Sequence, residues 1–147
     1  MAIWQFNCYI IPKKNADIYI HLDYEEILSW GSEKSHIEKI DFLEKCKSWS
    51  DKISQYGKED KTCIEFFYEK GILKEIECRL DLRSLSKKML KEILNYAQEI
   101  EGLIFYESKI YYPDIDEIVE LIKKSNANKF CQNPKNYFDG FADNELI

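Results

Sequence analysis

The clearest alternation in the chain lies between residues 75 and 83, where Ile76, Cys78, Leu80 and Leu82 interleave with Glu75, Glu77, Arg79, Asp81 and Arg83. Successive side chains of a strand point to opposite faces, so this pattern predicts a half-buried strand with one wet face. Ile64, Phe66 and Tyr68 continue the apolar set on a preceding strand. If Tyr68 faces Ile72, the two strands join through Glu69-Lys70-Gly71, with glycine where a three-residue hairpin needs a positive φ. A five-residue loop also keeps both apolar sets on one face, so the pattern leaves the register open. The period then becomes helical. With Ser84 or Ser86 as N-cap, Leu85, Met89, Ile93, Ala97 and Ile100 form a stripe, widened by Leu90 and Leu94. Gly102 takes the position past the helix end where glycine is favoured. The stripe predicts a helix packed on the apolar face of the hairpin.

The same reading extends along the rest of the chain. Ala2 to Ile11 alternates as a first strand, stopped by Pro12. Asp17 to Leu22 alternates briefly and reads as a strand or an extended lead-in. Asp23 with Glu26 forms a capping box that opens a small helix ended by Gly31. Ser35 with Glu38 repeats that signature, which predicts a second helical segment through Ile37, Ile40 and Leu43. Residues 47 to 61 lack periodicity and read as a loop anchored by Trp49, Ile53 and Tyr56. Trp49 reads either as a binding tryptophan or as the loop's anchor to the core. Leu103 to Tyr106 and Ile110 to Tyr112 predict a second hairpin through Glu107-Ser108-Lys109. Asp114 caps a helix striped by Ile115, Ile118, Val119 and Ile122, broken at residues 125 to 128. Asn133-Pro134 opens a last short helix carrying Tyr137, Phe138 and Phe141.

These elements predict a single α+β domain over residues 1–147: one mainly antiparallel sheet of about five strands, with helices packed largely on one face. A chain of 147 residues, 45% hydrophobic and 14% aromatic, can bury a core of its own. Its net charge of −6 disfavours nucleic acid or an anionic membrane as the main partner and favours a basic protein or simple solubility. No signal peptide or membrane-spanning run is legible, so the cytoplasm is the expected location. The five cysteines, scattered and without a C-x-x-C, indicate neither a disulfide framework nor a zinc site. The richness in lysine, isoleucine and asparagine suggests an AT-rich bacterial genome.

The wet face of the central hairpin carries the candidate chemistry. Glu65, Phe67, Glu75 and Glu77 share it, as an ordinary solvated surface or as an acidic patch with an aromatic anchor shaped for a basic partner. Arg79 and Arg83, the two arginines of the chain, flank Asp81. They read as an ion-pair ladder or as a candidate anion-binding pair, because the guanidinium fork suits carboxylate and phosphate. Phosphate-cradling loops, nucleophile elbows and clustered metal ligands have no counterpart in the sequence, so no catalytic residue, cofactor or metal is assigned. His21 and His36 are isolated, and a Cys46 or Cys131 nucleophile paired with one of them lacks a local signature.

Trp4-Gln5-Phe6, Ser48-Trp49-Ser50, Arg79-Leu80-Asp81-Leu82-Arg83 and Ser125-x-Ala127-x-x-Phe130-x-x-Asn133-Pro134 together resemble a group of small stand-alone bacterial proteins of unknown function. That group is in turn similar to the immunity proteins of polymorphic-toxin systems. The resemblance implies a cytoplasmic, non-enzymatic protein-binding module that neutralises a cognate toxin. The alternative is a small-molecule or phosphate-binding protein, enzymatic or not, using Arg79, Asp81 and Arg83. An unpaired sheet edge leaves monomer and homodimer both open.

Overall fold

The first strand of the chain, β1 (Gln5–Pro12), lies inside the sheet and not at its edge. It is flanked antiparallel by β6 (Ile72–Asp81) and β7 (Gly102–Tyr106). The computed structural model describes residues 2–33 and 37–131, which form an α+β fold around one antiparallel sheet. Beyond β6 come β5 (Cys63–Glu69), β4 (Ile53–Tyr56) and β3 (Lys45–Cys46); beyond β7 comes β8 (Lys109–Tyr111). The order is β3-β4-β5-β6-β1-β7-β8, and β2 (Ser32–Glu33) pairs separately with the start of β6. The sheet thus exceeds the five strands read from the sequence. The expected loop over residues 47 to 61 contains β4, while β2 and β3 are two residues long, too short to show a period.

Because β6 and β7 are both antiparallel to β1, they run parallel to each other. The chain returns between them through α3 (Lys87–Glu99). Ser86 caps α3, its hydroxyl accepting the Met89 N–H at 2.9 Å. Leu90, Ile93, Leu94 and Ala97 of α3 enter one core cluster with Phe6, Cys8, Ile10, Ile64, Phe66, Ile76, Cys78 and Leu80. Ile118 and Ile122 of α4 (Ile115–Lys124) and Ala127 of α5 (Asn126–Phe130) join it. Alternation along β1 and β7 sends Ile11, Leu103 and Phe105 to a second, smaller cluster. Ile27 and Leu28 of α2 (Tyr24–Leu28) complete it, and α2 opens with the capping box expected at Asp23 and Glu26. Between β1 and α2 lie α1 (Lys13–Ala16) and a 3-10 turn at Tyr19–His21, where a strand or extended lead-in was read.

Two helical expectations change. Residues 37–44 are irregular and form no helix. The carbonyl of Ile37 accepts from the Tyr96 hydroxyl and the Lys39 N–H, and the Glu38 carboxylate accepts from the hydroxyls of Tyr56 and Tyr68. Groups that a helix would use locally are held by the sheet and α3 instead. Helix α4 breaks only at Ser125, which ends α4 and caps α5, so residues 126–128 are helical and not a break. Ser35 and His36, and the last helix read from Asn133-Pro134, lie outside the described residues.

The β5–β6 register is set by two devices. The turn is the two residues Lys70 and Gly71, with φ of 54° and 79°, so Glu69 pairs with Ile72 and not Tyr68 with Ile72. That double positive φ gives the twist a two-residue hairpin needs. A bulge then admits Lys74 as an extra residue between Leu73 and Glu75, whose partners are Tyr68 and Phe67. Beyond the bulge the pairing matches the five-residue-loop alternative, reached through a tighter turn. The second hairpin likewise closes on Glu107 and Ser108, with φ of 47° and 64°, leaving Lys109 inside β8 opposite Tyr106.

Candidate functional site

The register assembles the polar face of the sheet. Glu65 faces Glu77 and Phe67 faces Glu75 across β5 and β6, while Cys63 faces Arg79. The four residues singled out as partner-binding therefore form a compact block, but with the cross-strand partner of each carboxylate two residues from where the three-residue loop would place it. The row continues across six strands as Gln55, Glu65, Glu77, Tyr9, Phe105 and Ile110. One half of this face is carboxylate and amide, the other aromatic and aliphatic. Helix α2 covers the apolar half, and Tyr24 sets its ring against Tyr9 and Phe105 at centroid distances of 6.3 and 6.0 Å.

Arg79 lies across the acidic half. Its Nη2 reaches Glu65 Oε1 at 2.6 Å and Glu77 Oε1 at 3.3 Å, so one guanidinium serves two facing carboxylates. Like charges directly opposite repel, and Arg79 is the compensating charge. Glu65 is buried, with a side chain 5% exposed. That burial raises its pKa, with Arg79 and, to a lesser degree, the Trp49 indole pulling the other way. Glu65 Oε2 and Arg79 Nε and Nη1 are buried without a hydrogen-bond partner among the described residues.

Glu75 differs from its neighbours. It is half-buried and has no ion-pair partner among the described residues. Burial raises its pKa, followed by the charges of Glu77 and of Glu25 on α2. Sequence reasoning missed Glu25 because the capping box accounted for the local acidic residues, and only the packing of α2 brings it toward β6. Phe67, opposite Glu75, is also half-buried. Trp49 is 68% exposed, so it does not anchor its loop to the core and stands at the surface instead.

The two arginines do not converge. β6 ends at Asp81, so Arg83 lies past the strand and off the face of Arg79. Arg83 forms a bidentate pair with Asp81 at 2.9 and 3.0 Å, donates to the Asp60 carbonyl at 3.2 Å and stacks over Trp4 at 4.0 Å. Its fork is spent on holding the 58–61 loop against the end of β6. Trp4 and Gln5 hold the same loop through the carbonyls of Asp60, Glu59 and Lys61. The Arg-Asp-Arg ladder is therefore one pair, Arg83 with Asp81, while Arg79 turns to the glutamates.

Cys63, under Arg79, has its thiol pushed up to about 12 by burial, which makes it inert as a nucleophile at neutral pH. Among the described residues no group of three or more histidine, cysteine, aspartate or glutamate side chains is placed to hold a metal ion. No helix among them is long and apolar enough to cross a membrane. Comparison with protein-family models, with curated proteins and with solved structures found no match to the chain.

Proposed function

We propose that this protein is a cytoplasmic protein-binding module that docks a basic partner on the acidic half of its sheet, in the manner of an immunity protein neutralising a toxin. Helices α3 and α4 pack in the core cluster with Phe6, Cys8 and Ile10, on the face of β1 opposite Tyr9, and the acidic half is left for a partner. The observation that carries the reading is Glu75: a half-buried carboxylate opposite Phe67, without a cation among the described residues, whose charge is opposed by burial and by Glu77 and Glu25. A partner lysine or arginine relieves that opposition, so charge complementarity converts a local destabilisation into binding energy and orientation. Exposed Trp49 and Tyr24 border the patch with aromatic surface of the kind that anchors interfaces.

Tagged protein captured from its native lysate is expected to retain one stoichiometric basic protein, and the variant combining Glu75→Lys with Glu77→Lys is expected to lose it. That partner should be toxic when expressed alone and harmless when co-expressed with the parent chain. Retention of the same partner by the double variant removes the acidic face from consideration.

A further inference from the structure

Where β1 gives way to α1, a cavity of about 610 Å³ opens against the C-terminal end of α3. That size is ordinary for a small-molecule site. Its lining among the described residues divides by chemistry. Pro12, Trp30 and Ile37 are buried and Ile100 is half-buried, which makes an apolar floor. Lys13, Lys14, Asp17, Glu99 and Glu101 are exposed and make a charged rim. The floor is held in place, because the Trp30 indole N–H donates to the Ile10 carbonyl at 2.8 Å and the Gly31 N–H to the Leu73 carbonyl at 3.0 Å. The Lys13 N–H donates to the Glu101 carbonyl at 3.0 Å, which ties the lysines of α1 to the glutamates that close α3. None of the five charged side chains has an ion-pair partner among the described residues. The Ser32 hydroxyl, also in the lining, is buried without a hydrogen-bond partner among them. The geometry points to a binding site for a zwitterionic α-amino acid with an aromatic side chain. The ring lies on the floor beside Trp30, the carboxylate toward Lys13 and Lys14, and the ammonium toward Glu99 and Glu101.

This site shares no residue with the acidic face and does not depend on the protein-binding reading. The ligand class follows from a rim that carries both signs of charge without pairing them. An aromatic acid is attracted by Lys13 and Lys14 but repelled by Asp17, Glu99 and Glu101, and an aromatic amine meets the reverse. A zwitterion gives each set its opposite charge. The partial negative charge at the C-terminal end of α3 adds to the pull on an ammonium. The fixed indole of Trp30 suits a ring, which gains from an offset or edge-on aromatic neighbour beyond the area it buries.

The probes are L-phenylalanine, L-leucine, hydrocinnamate, which lacks the ammonium, and phenethylamine, which lacks the carboxylate. Each is titrated into the isotopically labelled chain and followed through its amide chemical shifts. Two double variants are compared with the parent, Lys13→Gln with Lys14→Gln and Glu99→Gln with Glu101→Gln, and melting curves check that each folds. L-phenylalanine is expected to bind most tightly of the four and to shift the amides of Lys13, Ser32 and Glu101. The lysine variant should weaken it by about fivefold, the scale of one exposed ion pair, without weakening phenethylamine. The glutamate variant should weaken it to the same extent without weakening hydrocinnamate. Equal or tighter binding of either truncated analogue overturns the zwitterion, and equal binding of L-leucine overturns the choice of an aromatic side chain. An affinity for L-phenylalanine unchanged in both double variants, or shifts confined to amides elsewhere, overturns the site. Absence of binding by all four probes at about 10 mM does the same.

Discussion

Glu75 shows how a single residue links stability to function. Its folded pKa is raised above the ordinary value of 4.5, with burial first among the causes and the charges of Glu77 and Glu25 after it. The folded state therefore holds the Glu75 proton more tightly than the unfolded chain does. Between the ordinary and the raised pKa the unfolded state binds fewer protons, so this group lowers stability as pH rises through that window. Its opposition to folding is complete above the raised value and absent below the ordinary one. The Glu75→Gln variant is thus expected to be at least as stable as the parent chain at neutral pH in urea titrations, with the difference shrinking toward acid pH. Affinity for a basic partner should move the opposite way, falling on acidification through the same window as the carboxylate loses its charge. Arg79 matches the facing charges of Glu65 and Glu77 at 2.6 and 3.3 Å, a compensation that Glu75 does not have among the described residues.

At the scale of elements, the turns and the helix end decide which residues meet. The expectation that Gly102 supplies the left-handed position after α3 is corrected by its neighbour: Glu101 has φ of 57° and takes that position itself. Gly102 instead opens β7 against β1, where a Cβ would lie 2.6 Å from Ile10 Cγ2 and 3.2 Å from the Ala97 carbonyl. The two sites should respond in opposite directions. Glu101→Gly is expected to stabilise by about 1 kcal/mol, the strain of an L-residue in the left-handed region. Gly102→Ala should destabilise, because Ile10 is fully buried in the core and has little room to yield. Thermal melts of the two variants against the parent chain measure both. The bulge at Lys74 matters to the site in the same way, since a one-residue slip sends every following side chain of β6 to the other face.

Over the whole molecule, a net charge of −6 sets the long-range field in which the patch works. Charge of one sign attracts an oppositely charged partner before contact and raises the encounter rate, and salt screens it over about 8 Å at physiological ionic strength. For a basic partner, the association rate measured by stopped flow is expected to fall steeply with added salt while the dissociation rate changes little. A salt-independent association rate would assign recognition to the aromatic surface alone. Among the described residues β8 is one edge of the sheet, beside a groove of about 460 Å³ lined by Tyr19, Ile110 and Tyr112, among others.

What the chain declares locally, it declares well. The alternation of Ile76, Cys78 and Leu80, the stripe of α3 and the caps at Asp23, Ser86 and Asp114 are properties of neighbouring residues, and the fold uses each of them. The shared face of Glu65, Phe67, Glu75 and Glu77 was legible for the same reason, since a strand's period assigns faces without a partner. Register, strand order and charge pairing depend on residues far apart in sequence. The placement of β1 between β6 and β7, the bulge at Lys74 and the loss of a helix around Glu38 to the hydroxyls of Tyr56 and Tyr68 follow from tertiary contacts. So does the division of the acidic face: only packing could give Arg79 to Glu65 and Glu77 and leave Glu75 without an ion-pair partner among the described residues.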